Sequence, residues 1–235
     1  MNKSIKNLSV FPAILAAVTF ASCNYFTSSN KNIDSSNSSQ SATVSSSEKT
    51  SDNMTSSNIL VIVDLQKDFI DGTLPAKNGA DVIAPIKGII PQFDKVYFTL
   101  DWHPYNHCSF KAYGGIWPEH CVQYTEGASL PNGILEGVSN SRLRFLPKGN
   151  NPEREEYGQF EFMQADNQDL FRKGDKVVVC GIAAEYCVLE TLKNLVRLSK
   201  VIGFNLYVFN EGVACIETND PLLDYMKENN IKFYK

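Results

Sequence analysis

The sequence predicts an α/β fold in which helices cover both faces of a parallel sheet, giving three layers. Two observations carry this. Short continuous apolar runs, such as 59–63 and 177–180, alternate with segments of helical spacing. Four of the expected strands also end on residues able to carry chemistry: Asp64, Asp101, Lys148 and the Gly181–Cys187 turn. An unbroken apolar run suits a strand covered on both sides. Alternating strands and helices then imply a parallel, Rossmann-like sheet, in which ligands bind at the carboxyl ends of the strands.

The chain divides into three zones. Residues 1–22 read as an export signal, with a basic start at Lys3 and Lys6, an apolar run over 10–21 and small residues before Cys23. The pattern is that of a bacterial lipoprotein signal, with Cys23 as lipid acceptor, or of an ordinary signal peptide cut nearby. Residues 23–57 form a Ser/Asn-rich tether. Within 27–57, 21 of 31 residues are Ser, Thr or Asn. Too little apolar surface is present to offset the chain entropy of folding. Residues 58–235 are the folded domain. The expected location is an exported, membrane-anchored protein facing the periplasm or the cell exterior.

In the domain, 59–63 is the first strand and ends at Asp64. Residues 79–93 show helical spacing, weakened by Pro85 and Pro91. Strands follow at 96–100, ending at Asp101, and at 143–146, ending near Lys148. The strand 177–180 leads through Gly181 into a helix over 187–198. Strands at 205–209 and 231–234 flank a helix over 221–228.

Composition narrows the function. The chain has 235 residues, 43% hydrophobic and 20% charged, with net charge −4. An acidic balance argues against nucleic-acid binding, which needs a basic surface. No apolar run reaches the ~18 residues of a membrane span, so membrane contact is expected only through the lipid anchor. A small-molecule partner is the expectation, with homo-oligomerisation left open.

All three histidines, His103, His107 and His120, lie within 18 residues. Asp101 and His103 at a strand end can share one metal ion, with His120 closing the set from the next loop. Carboxylate plus imidazole suits one divalent ion, Zn²⁺ first and Fe²⁺ or Mn²⁺ as alternatives. The bland reading is three unrelated loop histidines. Cys187 sits between a buried strand and a helix, where the helix dipole favours thiolate. Unpaired N–H groups at that turn can hold an oxyanion. A buried Cys is otherwise a small apolar residue, the role expected of Cys180. Asp64 can serve as a general base if burial raises its pKa. Asp68 alone reads as a cap or surface pair, and Lys148 alone as a solvated loop lysine.

Several segments carry a resemblance together. They are Asp64-Leu-Gln-Lys-Asp-Phe69, Thr99-Leu-Asp-Trp-His-Pro104, His107-Cys-Ser-Phe110, Trp117-Pro-Glu-His-Cys-Val122, Lys148-Gly149 and Gly181-Ile-Ala-Ala-Glu-Tyr-Cys-Val188. In this order they resemble the nicotinamidase branch of the isochorismatase-like cysteine hydrolases, over nearly all of 58–235. The resemblance implies the isochorismatase-like hydrolase fold and a Cys187–Asp64–Lys148 triad that converts nicotinamide and water to nicotinate and ammonia through a thioester. It implies an oxyanion hole from the N–H groups of Ala183 and Cys187, beside a cis peptide between Ile182 and Ala183. It implies a metal on Asp101, His103 and His120, with His107 a fourth ligand or a neighbour of the ligands. It places Phe69 and Trp117 around the substrate ring and Tyr157 over the pocket. One position departs from the family: Glu185 stands where Asp is usual.

Two other readings compete. One is a related cysteine amidohydrolase acting on another small amide, against which the metal loop argues. The other is a tethered, non-catalytic pyridine-binding protein, which would have no use for Cys187. If Cys23 carries lipid, five cysteines remain, an odd number, so at least one is unpaired; Cys187 is expected to be free.

Overall fold

The structure is a computed structural model that describes residues 55–164 and 169–235. The expected signal (1–22), the lipid acceptor Cys23 and nearly all of the 23–57 tether lie outside the described residues.

Among the described residues, six strands form one parallel sheet. They are β1 (Asn58–Val63), β2 (Lys95–Asp101), β3 (Leu143–Lys148), β4 (Lys176–Ile182), β5 (Asn205–Ala214) and β6 (Lys232–Phe233). Their order is β3-β2-β1-β4-β5-β6. The strand period of two explains why β1 is apolar throughout. Leu60 and Ile62 pack on one face with Val96, Phe98 and Val178, against helix α2 (Ile83–Ile89). Ile59, Val61 and Val63 pack on the other face with Leu192, Leu195 and Leu198 of helix α3 (Leu189–Ile202). Helix α4 (Asp220–Glu228) adds Leu222 and Met226 to that second core. Each such side chain contributes about 1.5–3 kcal/mol by leaving water. The three layers match the expected architecture.

The strand order reverses between β1 and β4, which makes their carboxyl ends the natural crevice of the sheet. Asp64 leaves β1 on one side of it and the Cys187 turn leaves β4 on the other. Gly181, at φ 121°, lets β4 approach β1 there, since a Cβ would sit 2.0 Å from the Val63 carbonyl oxygen.

Four elements differ from the sequence expectation. The 79–93 helix contracts to 83–89 plus a 3₁₀ turn at Ile90–Gln92. Pro85 falls in the first helical turn, where its missing N–H costs nothing, and Pro91 ends the helix. A short helix α1 (Lys67–Ile70) follows Asp64 directly. Strand β5 runs on to Ala214, past the polar Asn210-Glu211 pair that masked its second half. Among the described residues, no α-helix connects β2 to β3; turns, 3₁₀ pieces and an isolated His103–Val122 bridge fill that crossing.

Candidate active site

Four strand ends deliver the polar residues. Asp64, the first residue after β1, is fully buried and takes a left-handed conformation (φ 45°), which Asp tolerates better than most residues. Thr99 of β2 donates its hydroxyl to Asp64 Oδ1 at 2.6 Å. Lys148, the last residue of β3, puts its Nζ 2.9 Å from Asp64 Oδ2 and 3.5 Å from Cys187 Sγ. The same ammonium pairs with Asp101 Oδ1. Asp64 Oδ2 thus faces the ammonium, and the Asp64 carboxylate also accepts from the neighbouring Cys187 thiol. The structure therefore brings Cys187, Asp64 and Lys148 together and buries all three. Lys148 is not the solvated lysine that its loop suggests in isolation.

Burial and charge set the protonation of this group. Burial raises the Asp64 carboxyl above its ordinary value, against the opposing pull of Lys148. Burial also pushes the Cys187 thiol well up, more than Lys148 lowers it. This direction runs against the preference for thiolate expected at a helix start, because burial disfavours the charged sulfur. Burial pulls the Lys148 ammonium down, but the carboxylates of Asp101 and Asp64 outweigh it and hold it protonated.

Cys187 sits in a π-helical turn, Ala184–Val188, that leads into α3. The Ile182–Ala183 peptide is cis, as the resemblance implies. Ala183 and Cys187, the expected oxyanion donors, both line the same pocket. Cys180 is buried inside β4, in its expected apolar role. The five described cysteines, Cys108, Cys121, Cys180, Cys187 and Cys215, are all free thiols.

The residues expected to hold a metal converge. One ligating atom each from Asp101, His103 and His120 lie within 4.8 Å of one another, and all three residues are buried. Nδ1 of His103 donates to the Gly149 carbonyl at 3.1 Å, and Nδ1 of His120 to the Pro118 carbonyl at 2.8 Å. Those bonds leave both Nε2 lone pairs facing Asp101 Oδ2, at 3.5 and 3.8 Å. Ligand atoms in a tetrahedral zinc shell lie about 3.4 Å apart, given bonds of about 2.1 Å, so the arrangement fits a small divalent ion. His107 is different. Its Nε2 donates to the Arg154 carbonyl at 3.0 Å, and its Nδ1 accepts from Ser109, whose hydroxyl lies at 2.7 Å. Both nitrogens are committed to protein, so His107 supports the His103 ring, 4.1 Å away between centroids, and is not a ligand in this arrangement.

Above these groups is a narrow, mainly apolar pocket. Phe69, Trp117 and Tyr157, the expected substrate contacts, line it together with Leu74, Tyr186 and Ile216. Trp117 Nε1 donates to the Tyr157 hydroxyl at 3.0 Å, which joins two of the lining residues. A larger groove of about 450 Å³ near Phe204 and Asn229 contains no carboxylate or thiol and lies away from this chemistry.

Gln66 and Glu156 contribute without having been singled out from sequence, and Asp68 and Glu185, which were, meet partners the sequence did not show. Gln66 is fully buried and clamps Asp101: its Nε2 donates to the Asp101 carbonyl (2.8 Å) and its Oε1 accepts the Asp101 N–H (2.8 Å). Asp68 is neither a surface pair nor a cap of its own helix; its buried carboxylate accepts the Cys121 N–H at 2.7 Å and so fixes the loop carrying His120. Glu156 accepts the Gly149 N–H at 2.9 Å. Glu185 accepts N–H groups from residues 216–218. The only available signal was a polar residue beside a catalytic motif, which does not tell which distant backbone it will meet.

Comparison with known proteins bears on this geometry. No protein-family model matches the chain. The nicotinamidase of Acinetobacter baylyi is 33% identical over 188 residues, 69% of this chain and 84% of that protein. The crystal structure of the pyrazinamidase of Pyrococcus horikoshii in complex with zinc has a TM-score of 0.63 at 32% identity, covering 76% of this chain and 98% of that one. The crystal structure of PnC1 from L. infantum in complex with nicotinate has a TM-score of 0.64 at 28% identity, covering 77% and 93%.

Proposed function

The chain belongs to the nicotinamidase family of isochorismatase-like cysteine hydrolases, and on that premise we propose that it hydrolyses nicotinamide to nicotinate and ammonia. The observation that carries the reading is one ammonium, Lys148 Nζ, lying between the Asp64 carboxylate and the Cys187 sulfur in a buried site.

Asp64 takes the Cys187 thiol proton as the sulfur bonds to the carboxamide carbon. The proton then passes to the leaving nitrogen, which departs as ammonia. Water attacks the thioester carbon as Asp64 takes a proton from it; the C–S bond breaks, Asp64 returns the proton to the Cys187 sulfur, and the acid leaves as nicotinate after losing its own proton to solvent. Lys148 stays charged throughout and steadies whichever of Asp64 or Cys187 bears the negative charge. The N–H groups of Ala183 and Cys187 receive the carbonyl oxygen. Phe69, Trp117 and Tyr157 enclose the flat ring. Asp101, His103 and His120 would hold a divalent ion, which we assign as Zn²⁺ and which would supply a Lewis-acid contact to the ring nitrogen. Ammonia release from nicotinamide by the wild type, its loss in Cys187→Ala, and its loss on chelation with recovery on metal addition are expected. Nicotinamide binding without release by the wild type would favour a pyridine-binding protein instead.

We further propose that the protein is exported and anchored through Cys23. The basic start, short apolar run and small residues before Cys23 support this; among the described residues, no helix is long and apolar enough to cross a membrane. Mass spectrometry of the mature protein should find a lipid-modified Cys23 as first residue. An unprocessed Met1 would reject both export and anchoring. For the exported protein the role is salvage of external nicotinamide.

A further inference from the structure

The segment after β5 is held from both sides. Its donors converge on one side chain: the N–H groups of Ile216, Glu217 and Thr218 point to the Glu185 carboxylate at 3.2, 2.5 and 3.3 Å. Its acceptors go to another: Lys77 gives its N–H to the Cys215 carbonyl at 2.7 Å and its Nζ to the Glu217 carbonyl at 2.8 Å. Three consecutive N–H groups around one carboxylate form an anion-binding nest, here filled by the protein's own side chain. Glu185 lies two residues before the nucleophile, in the same π-helical turn. Ile216, the first residue of the nest, lines the pocket with Cys187.

We propose that Glu185 is a positioning residue that fixes the 216–218 segment relative to the nucleophile turn, so that Ile216 forms a rigid wall of the substrate pocket. This rests on the amidohydrolase reading above. A single carboxylate links the two segments directly, so the wall cannot move independently of Cys187 while the three bonds stand. The side chain needs both charge and length. A neutral amide accepts through one oxygen only, and Asp is one methylene too short for the same three contacts. The effect falls on binding rather than on bond breaking, because the Glu185 carboxylate is engaged with the 216–218 N–H groups and makes no hydrogen bond or ion pair with Asp64, Lys148 or Cys187 among the described residues.

The test uses the full enzyme with Glu185→Ala, Glu185→Gln and Glu185→Asp. Glu185→Ala should raise KM for nicotinamide about tenfold while kcat changes by less than about twofold. Glu185→Gln should fall between it and the wild type. Added acetate, which can enter the emptied nest, should restore KM in Glu185→Ala and leave the wild type unchanged. Hydrogen exchange at the amides of 216–218 should quicken in Glu185→Ala and slow again with acetate. Unchanged exchange overturns the proposal, as does a fall in kcat with KM unmoved, or a loss of thermal stability with both constants unmoved. If the wild type releases no ammonia, the amidohydrolase reading fails, and the exchange data alone decide whether Glu185 holds the segment.

Discussion

Asp101 and Lys148 are register partners at the carboxyl ends of β2 and β3, and their side chains form a buried ion pair. Asp101 divides its two oxygens: Oδ1 meets Lys148, while Oδ2 faces His103 and His120. One carboxylate thus joins the Lys148–Asp64–Cys187 cluster to the His103–His120 pair. The pairing is set by strand register, so the two halves of the site cannot be displaced separately without breaking the sheet edge.

Removing Lys148 should be costly for both rate and stability. Lys148→Met leaves Asp64 and Asp101 facing each other without a counter-charge in a buried site. Breaking a buried pair in this way costs about 3–5 kcal/mol, less whatever Asp64 recovers by taking a proton. Ammonia release should fall at least about 100-fold, and urea unfolding should show the lower midpoint. Near-wild-type turnover would remove Lys148 from the mechanism.

The histidines should separate by metal content. His103→Ala and His120→Ala should lose the bound ion, as read by elemental analysis of purified protein. His107→Ala should retain one ion per chain, bound more weakly, since His107 only supports the His103 ring. Complete metal loss in His107→Ala would restore it to the ligand set.

Thr99→Val should shift the pH profile. The Thr99 hydroxyl lowers the Asp64 carboxyl by donating to its charged form, against the larger upward effect of burial. Without that bond the folded pKa rises further, so Asp64 stays protonated to higher pH. The acid limb of kcat/KM should therefore move to higher pH, with a loss of about tenfold near the old limb. An acid limb that stays in place would mean that Asp64 does not set it.

Gly149→Ala should disturb the metal group without touching a ligand. Gly149 has φ 67°, and a Cβ there would lie 2.4 Å from His103 Cε1. The left-handed backbone alone disfavours Ala by about 1 kcal/mol. His103 must turn, so metal affinity should fall together with the melting temperature. Unchanged metal affinity would mean that His103 is not held where the structure places it.

The sequence by itself determined the sheet, the strand ends and the residue types placed on them. Strand period and burial are local properties: the apolar runs before Asp64, Asp101 and Gly181 can be read in a window of a few residues, and parallel topology then brings their ends, and that of the more exposed β3 at Lys148, together. The sequence also supplied the motifs from which the triad and the Asp101–His103–His120 group were expected. Only the tertiary structure decided which of these groups share partners. It removed His107 from the metal set, because Arg154 and Ser109 occupy its nitrogens. It pushed the Cys187 thiol upward, because burial disfavours the charged sulfur more than Lys148 favours it. It gave Gln66, Asp68 and Glu185 their roles through backbone groups 35, 53 and about 31 residues away. A hydrogen-bond partner is chosen by where a loop passes in space, and nothing within a local stretch of side chains fixes that path.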